Sequence, residues 1–205
     1  MTFLLLAASY LLGATPTSYW VGRAFHGIDL REHGSGNLGA TNAFRVMGWK
    51  SAVPVIVVDV SKGFVPVWFF PPLVGGSFAW TLAFGAAAIV GHMFSLWVGF
   101  KGGKGVGTSA GVFLALAPWA VLAALSVWVV LVALTRMVAV GSMGAAATLP
   151  LFVWLLPGPE APGLVPFTAA LGAFVIWAHR SNIRRILRGE ENRFGRKKAE
   201  EASDG

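Results

Sequence analysis

The chain has 205 residues, of which 56% are hydrophobic and only 12% charged, and its mean hydropathy is +0.68. That balance excludes an ordinary water-soluble globule and indicates a membrane protein. A net charge of +7 would suggest nucleic acid in a soluble chain, whereas here lipid headgroups and anionic substrates are the expected partners; the absence of cysteine excludes disulfides, thiolate catalysis and cysteine metal sites.

A bilayer core of about 30 Å needs roughly 20 apolar residues rising about 1.5 Å each. By that ruler residues 2–22, 51–72, 78–100, 137–156 and 164–179 each read as one span. No basic residue precedes the first apolar run and Arg23 follows it, so an uncleaved first helix is expected rather than a signal peptide. Residues 105–134 carry no charge and would measure about 45 Å as one helix. Ala117-Pro118-Trp119 offers a break at the middle, giving two helices of about 22 Å each. Trp20, Trp49, Trp97, Trp154 and Trp177 lie near span ends, where interfacial anchors belong. No internal repeat divides the spans into related halves. Residues 1–195 read as a single transmembrane domain, and the charged residues 196–205 as a flexible tail.

Lysine and arginine are retained on the cytoplasmic side of short loops. A break at Pro118 makes seven spans and puts the basic residues of 23–50 and 101–104, Arg136 and the tail after Arg180 on one side. Of the 16 Lys and Arg residues only Lys62, inside a span, is left over, and the opposite loops hold one charge, Glu160. One long helix would separate Arg136 and the tail from the first basic loops. The expected architecture is therefore an all-α, polytopic membrane protein of about seven helices, some short, with the N-terminus outside and the C-terminus cytoplasmic.

Three polar segments meet on that inner face. The first runs from His33 through GSGNLGATN (34–42) to Arg45 and Gly48. Gly34 and Gly36 permit positive φ and close backbone approach, while Ser35, Asn37, Thr41, Asn42 and Arg45 offer donors suited to phosphate oxygens. The second, GFKGGKGVGTS (99–109), runs from one helix end into the next helix start, where free amides of Gly102, Gly103 and Gly105, the helix dipole, Thr108 and Lys104 would face an anion. It fails the nucleotide-binding P-loop pattern: Gly99 and Gly103 enclose three residues where four are required, and Gly105 follows the lysine. GTSAG (107–111) fits G-x-S-x-G by letters, but no strand precedes it. The third segment, WAHRSNIRR (177–185), carries His179 and Asn182 at i and i+3, on one face if the helix continues. Within the spans, Asp59 and Lys62 are read as a structural ion pair, since charges at membrane depth demand partners. His92 and Ser95 are read as packing or helix–helix hydrogen-bonding groups, and Ser142, beside Gly141 and Gly144, as lining the site or permitting close packing.

In order and in place along nearly the whole chain, GSGNLGATN with Arg45, GGKGVGTS, and HRSN followed by Glu190 and Glu191 resemble the bacterial acyl-phosphate:glycerol-3-phosphate acyltransferase family. The resemblance implies a seven-helix enzyme of the bacterial cytoplasmic (inner) membrane, its site facing the cytoplasm. Such an enzyme transfers a fatty acyl group from acyl phosphate to glycerol 3-phosphate, giving lysophosphatidic acid and phosphate, with no coenzyme A, nucleotide, metal or other cofactor. It further implies Ser35 and Arg45 as an essential pair, the glycines and Lys104 as phosphate ligands, His179 and Asn182 in the site, and a structural glutamate, for which Glu191 is favoured over its neighbour. The other major acyltransferase group of this pathway uses H-x-x-x-x-D; the fifth residues after His26, His33, His92 and His179 are Arg31, Leu38, Trp97 and Arg184, so it does not apply. The alternative reading is a transporter of a phosphorylated metabolite, which predicts midplane charges and usually a repeat.

Overall fold

A computed structural model describes residues 1–156, 158 and 163–194. The expected flexible tail and Glu160 lie outside them. The described residues are helical, without strands. Four helical stretches are long and apolar enough to cross a membrane, Trp49–Val74, Phe78–Val98, Pro118–Thr135 and Val138–Leu155; Thr2–Ala14, Val106–Leu116 and Leu164–Ala178 are shorter and apolar.

The first expected span, 2–22, is instead two helices, α1 (Thr2–Ala14) and α2 (Thr17–His26). Thr15 sits before Pro16, and the proline ring clashes with an α-conformation at the preceding residue, so Thr15 turns to ψ 109°. The break releases α2 to present an amphipathic face. The short helix α3 (Ala40–Met47) follows, and Leu30, Leu38, Ala43, Met47, Val55 and Val98 close a small second core beneath it.

The long helix α4 (Trp49–Phe69) packs on α6 (Val106–Leu116), and α1 packs on α5 (Phe78–Met93), through glycines that let backbones nearly touch. A Cβ on Gly63 would lie 2.0 Å from the Thr108 carbonyl oxygen, and one on Gly111 1.9 Å from that of Val60. Gly13 and Gly91 stand in the same relation to Ala88 and Tyr10, at 2.0 and 2.2 Å. The main core fills the space between: Val67, Ile89, Met93, Val112, Phe113, Leu116, Leu164 and Ala178.

The uncharged stretch 105–134 is split at Ala117, which is pushed to φ −147°, ψ 69° before Pro118. The halves are unequal, with α6 of 11 residues and α7 (Pro118–Thr135) of 18. The expected span 78–100 also ends early, at Met93, followed by a 3₁₀ turn at Leu96–Val98. Helix α8 (Val138–Leu155) packs against α7 and against α9 (Leu164–Ala178), which leads into α10 (Arg180–Leu187). Only Ala120 and Ala124 of α7 are buried, while Leu122, Leu125, Val129 and Val130 point outward. An apolar outer surface of this kind requires a hydrocarbon surround. Trp20, Trp49, Trp97, Trp154 and Trp177 are all exposed.

Candidate active site

The first segment is built around two buried polar side chains. Asp29 caps the 3₁₀ turn Leu30–Glu32 by accepting from the Arg31 amide at 3.0 Å, and also receives Arg31 Nη2 at 2.7 Å and Arg23 Nη2 at 3.1 Å. Hydrogen bonding from Arg31, more than the nearby charges, holds its carboxyl down at about 2. Asn42 on α3 donates to the His33 and Leu30 carbonyls at 3.0 and 3.3 Å and accepts the Ser35 amide at 2.8 Å. The sequence reading offered Asn42 to substrate; its amide is instead committed to holding the loop. Gly34 has φ +62°, and a Cβ there would lie 2.3 Å from Asn42 Oδ1, so the loop can pass over the amide only as glycine. Ser35 and Arg45 remain exposed, and Asn37 and Thr41 partly so.

The second segment is laid back on the end of α5. The amides of Gly102 and Gly103 donate to the Met93 and His92 carbonyls at 3.0 and 3.1 Å. They are therefore not the free anion donors expected from sequence. The donors that remain belong to α6, whose N-cap is Gly105 at φ +80° and whose first turn no side chain caps. Lys104 lies between loop and helix. Its pKa is lowered to about 8, first by burial and then by repulsion from Arg185.

In the third segment α9 stops at Ala178 and the chain resumes as α10 after His179 at φ −90°, ψ 9°. His179 is buried and its Nδ1 donates to the Val175 carbonyl at 2.8 Å, which makes Nε2 the acceptor of the neutral ring. Lys104 Nζ donates to Asn182 Oδ1. Asn182 Nδ2 in turn donates to Glu191 Oε1 at 2.8 Å, and Arg185 Nε to Glu191 Oε2 at 2.8 Å. The two adjacent glutamates thus differ: Glu191 is buried and doubly bonded, whereas Glu190 is exposed.

Lys104, Asn182 and Glu191 are joined by direct hydrogen bonds. Arg45 lies within electrostatic reach of Glu191 and Arg185, and its pKa is lowered by partial burial although the side chain is solvent-accessible. Ser142 is not brought to this group by any observed bond; its hydroxyl accepts from Trp128 Nε1 at 3.3 Å between α7 and α8. Thr108 faces the α4–α6 contact, its hydroxyl buried without a hydrogen-bond partner among the described residues. Asp59 and Lys62 form the expected ion pair at 2.8 Å, both buried. Ser95 makes the helix–helix bond, Oγ to the Ala14 carbonyl at 2.5 Å.

Two contributors are not among the site candidates read from the sequence, although Arg185 ends its third segment. Arg185 stands three residues after Asn182 on the amphipathic α10, a spacing that could have revealed it. Phe194 gave no such signal. Its amide donates to the Arg136 carbonyl at 2.8 Å and its ring meets Phe44 of α3 edge-on at 5.7 Å, so the segment after α10 ties α3 to the end of α7.

Chemically the group is a cation cradle: an ammonium held on a buried amide, a guanidinium nearby, an uncapped helix start and a histidine acceptor. Such a set neutralises and orients phosphate oxygens. A serine–histidine pair does occur, His26 Nε2 to Ser51 Oγ at 2.7 Å, but it is exposed and lies outside the three segments.

Residues 3–189 match the family described as glycerol-3-phosphate acyltransferase. The chain is 48% identical over 198 residues to a glycerol-3-phosphate acyltransferase of Synechococcus sp. (strain JA-3-3Ab), covering 96% of each. It is 44% identical over 191 residues to that of Geobacter sulfurreducens, covering 93% of this chain and 96% of the relative. The crystal structure of PlsY (YgiH), an integral membrane glycerol 3-phosphate acyltransferase, in its glycerol 3-phosphate form superposes with a TM-score of 0.87 at 36% identity, covering 95% of this chain and 96% of that one. The lysophosphatidic acid form gives 0.84 at 36% identity, with 95% of both chains covered.

Proposed function

We propose an acyl donor and an assignment of groups for this chain, which belongs to the glycerol-3-phosphate acyltransferase family. It is an integral membrane acyltransferase that converts glycerol 3-phosphate to lysophosphatidic acid. The donor we assign is acyl phosphate. As a mixed anhydride it already carries its leaving group, so a protein nucleophile is dispensable, and what remains for the protein is charge and position. The observation that carries this reading is the Lys104 ammonium seated on Asn182 at the start of α6, with Arg45 alongside.

A hydroxyl oxygen of glycerol 3-phosphate attacks the acyl carbonyl carbon, a new ester C–O bond forms, and the bond from that carbon to the phosphate oxygen breaks. The hydroxyl proton passes to a substrate phosphate, whose second pKa lies near 6. His179, with Nε2 free to accept, orients the attacking hydroxyl. Lys104 and Arg45 stabilise the phosphate charge, Ser35 adds a hydroxyl donor, and Asn182, fixed by Glu191 and Arg185, aims the lysine. The reaction needs no metal, nucleotide or coenzyme A.

The four long stretches and three short apolar helices together make the seven spans proposed here. At about 1.5 Å per residue α1, α6 and α9 rise roughly 20, 16 and 22 Å, so the bilayer thins or their polar ends lie inside the headgroup region. Supporting this arrangement, Lys104 meets Asn182, Arg136 meets Phe194 and Phe194 meets Phe44, contacts expected of basic segments gathered on one face. We assign that face to the cytoplasmic side of a bacterial inner membrane.

The test is purified protein in detergent with acyl phosphate and glycerol 3-phosphate, following released phosphate and lysophosphatidic acid. Turnover is expected without magnesium or coenzyme A, and its absence at every chain length removes the proposed donor. Lys104→Ala and Arg45→Ala are each expected to lower turnover by on the order of a hundredfold with the fold intact.

A further inference from the structure

The reaction above leaves unused a buried charged cluster, Asp59, Lys62 and His92, whose presence at membrane depth is costly. Lys62 Nζ pairs with Asp59 Oδ1 at 2.8 Å and donates at 2.9 Å to the Thr15 carbonyl, which the break before Pro16 takes out of the helical ladder and which also accepts the Thr17 amide. His92 Nδ1 lies 3.7 Å from the same Asp59 oxygen. The other edge of that ring lies directly under the glycine loop: a Cβ on Gly103 would sit 2.2 Å from His92 Nε2, and one on Gly102 2.0 Å from the His92 carbonyl oxygen. Asp59 also backs the first turn of α6, its Cβ 3.3 Å from the place of a Cβ on Gly107. The cluster thus touches both flanks of Lys104, the loop before it and the helix after it.

A loop of glycines has no side chains with which to fix its own height. Its Gly102 and Gly103 amides tie it to the end of α5, and how closely it seats there is limited by the planar imidazole held edge-on between Gly103 and Asp59. We propose that His92, backed by Asp59 and Lys62, is a positioning residue of acyl transfer: it sets the height of Gly103 and so holds the Lys104 ammonium where it meets Asn182 and the substrate phosphate. The proposal rests on the reaction assigned above. Two consequences follow from the contact geometry. A methyl group at Gly103 and removal of the ring at His92 disturb the same contact from opposite sides, so their effects are coupled. Loosening the loop also hydrates Lys104, whose charge is otherwise shaped by burial, by Arg185, Arg180 and Arg45, and by Glu191.

The experiment measures kcat/KM for glycerol 3-phosphate against pH for the wild type, His92→Ala, Gly103→Ala and the double variant, in detergent with acyl phosphate. Each single variant is expected to lose roughly tenfold to a hundredfold, as a displacement of about 1 Å does in a preorganised site. The double variant is expected to regain much of the Gly103→Ala loss, because the vacated ring leaves room for the methyl group. The alkaline limb, near pH 8 in the wild type, is expected to move upward in His92→Ala. Additive losses together with an unmoved limb would mean that His92 merely stabilises the fold, and would overturn the proposal. Should His92→Ala fail to fold, His92→Gln, alone and with Gly103→Ala, carries the same comparison. Wild-type protein without turnover refutes the assigned reaction instead, which keeps the two failures apart.

Discussion

Lys104 concentrates the charge logic of the site in one atom. Burial and three neighbouring arginines bring its pKa to about 8, so the ammonium is present below that pH and lost above it. The expected result is a kcat/KM that falls as pH rises through about 8. In Lys104→Arg the guanidinium stays charged, so the alkaline fall is expected to vanish while the maximum drops, because a planar fork does not reproduce a point charge; a fall at the same pH in that variant would assign the limb to another group. Asn42 works differently. Truncation to alanine orphans the Ser35 amide and takes one of two hydrogen bonds from each of the Leu30 and His33 carbonyls, at a cost of about 1–3 kcal/mol. Asn42→Ala should therefore lower the thermal midpoint in detergent and raise KM, since the loop carrying Ser35 loses its tie. Sequence alone suggested Asn42 as a donor to phosphate, because an asparagine among glycines reads the same whether its amide faces outward or inward.

At the scale of helices, stability rests on backbone contact between glycine-bearing faces more than on side-chain volume. Gly63 and Gly111 lie one above the other on the α4–α6 seam, each within about 2 Å of a carbonyl oxygen once a Cβ is added. Gly63→Ala and Gly111→Ala are each expected to destabilise by about 1–3 kcal/mol or more, read as a lower thermal midpoint and slower turnover, because that seam also seats the first turn of α6. An unchanged midpoint in both variants would show that the helices part at no cost. The two proline breaks have a common cause in the restriction of the residue before proline. At Pro118 the break could be anticipated, since thirty uncharged residues are too long for one span. At Pro16 length misleads, because residues 2–22 have the right number for one helix, although the polar run Thr15-Pro16-Thr17-Ser18 already carries the same proline signal.

For the whole molecule, the absence of cysteine makes topology directly testable. Lys50→Cys, Lys101→Cys and Arg184→Cys should be labelled by an impermeant maleimide from one side of sealed vesicles. Gly75→Cys and Trp119→Cys should be labelled from the other. Labelling of Arg184→Cys with the second pair would remove the third segment from the site and break the seven-span assignment. The strand of chain after α10 matters at this scale as well, since Phe194 joins Arg136 at the α7–α8 turn to Phe44 on α3 and so links elements far apart in sequence.

Composition determined the helical membrane class, and the three polar segments determined the family, because hydropathy and motif spacing are local properties of a chain. Lys104, Asn182 and the choice of residues worth testing were within reach for the same reason. Tertiary structure alone decided which polar groups are spent inside: the Gly102 and Gly103 amides bond α5, Asn42 bonds its own loop, and Ser142 bonds Trp128. It also decided that Glu191 and not Glu190 locks Asn182, and that His92 lies beneath Gly103. A hydrogen-bonding group has the same letter in either role, and its orientation is set by partners that folding brings from elsewhere in the chain.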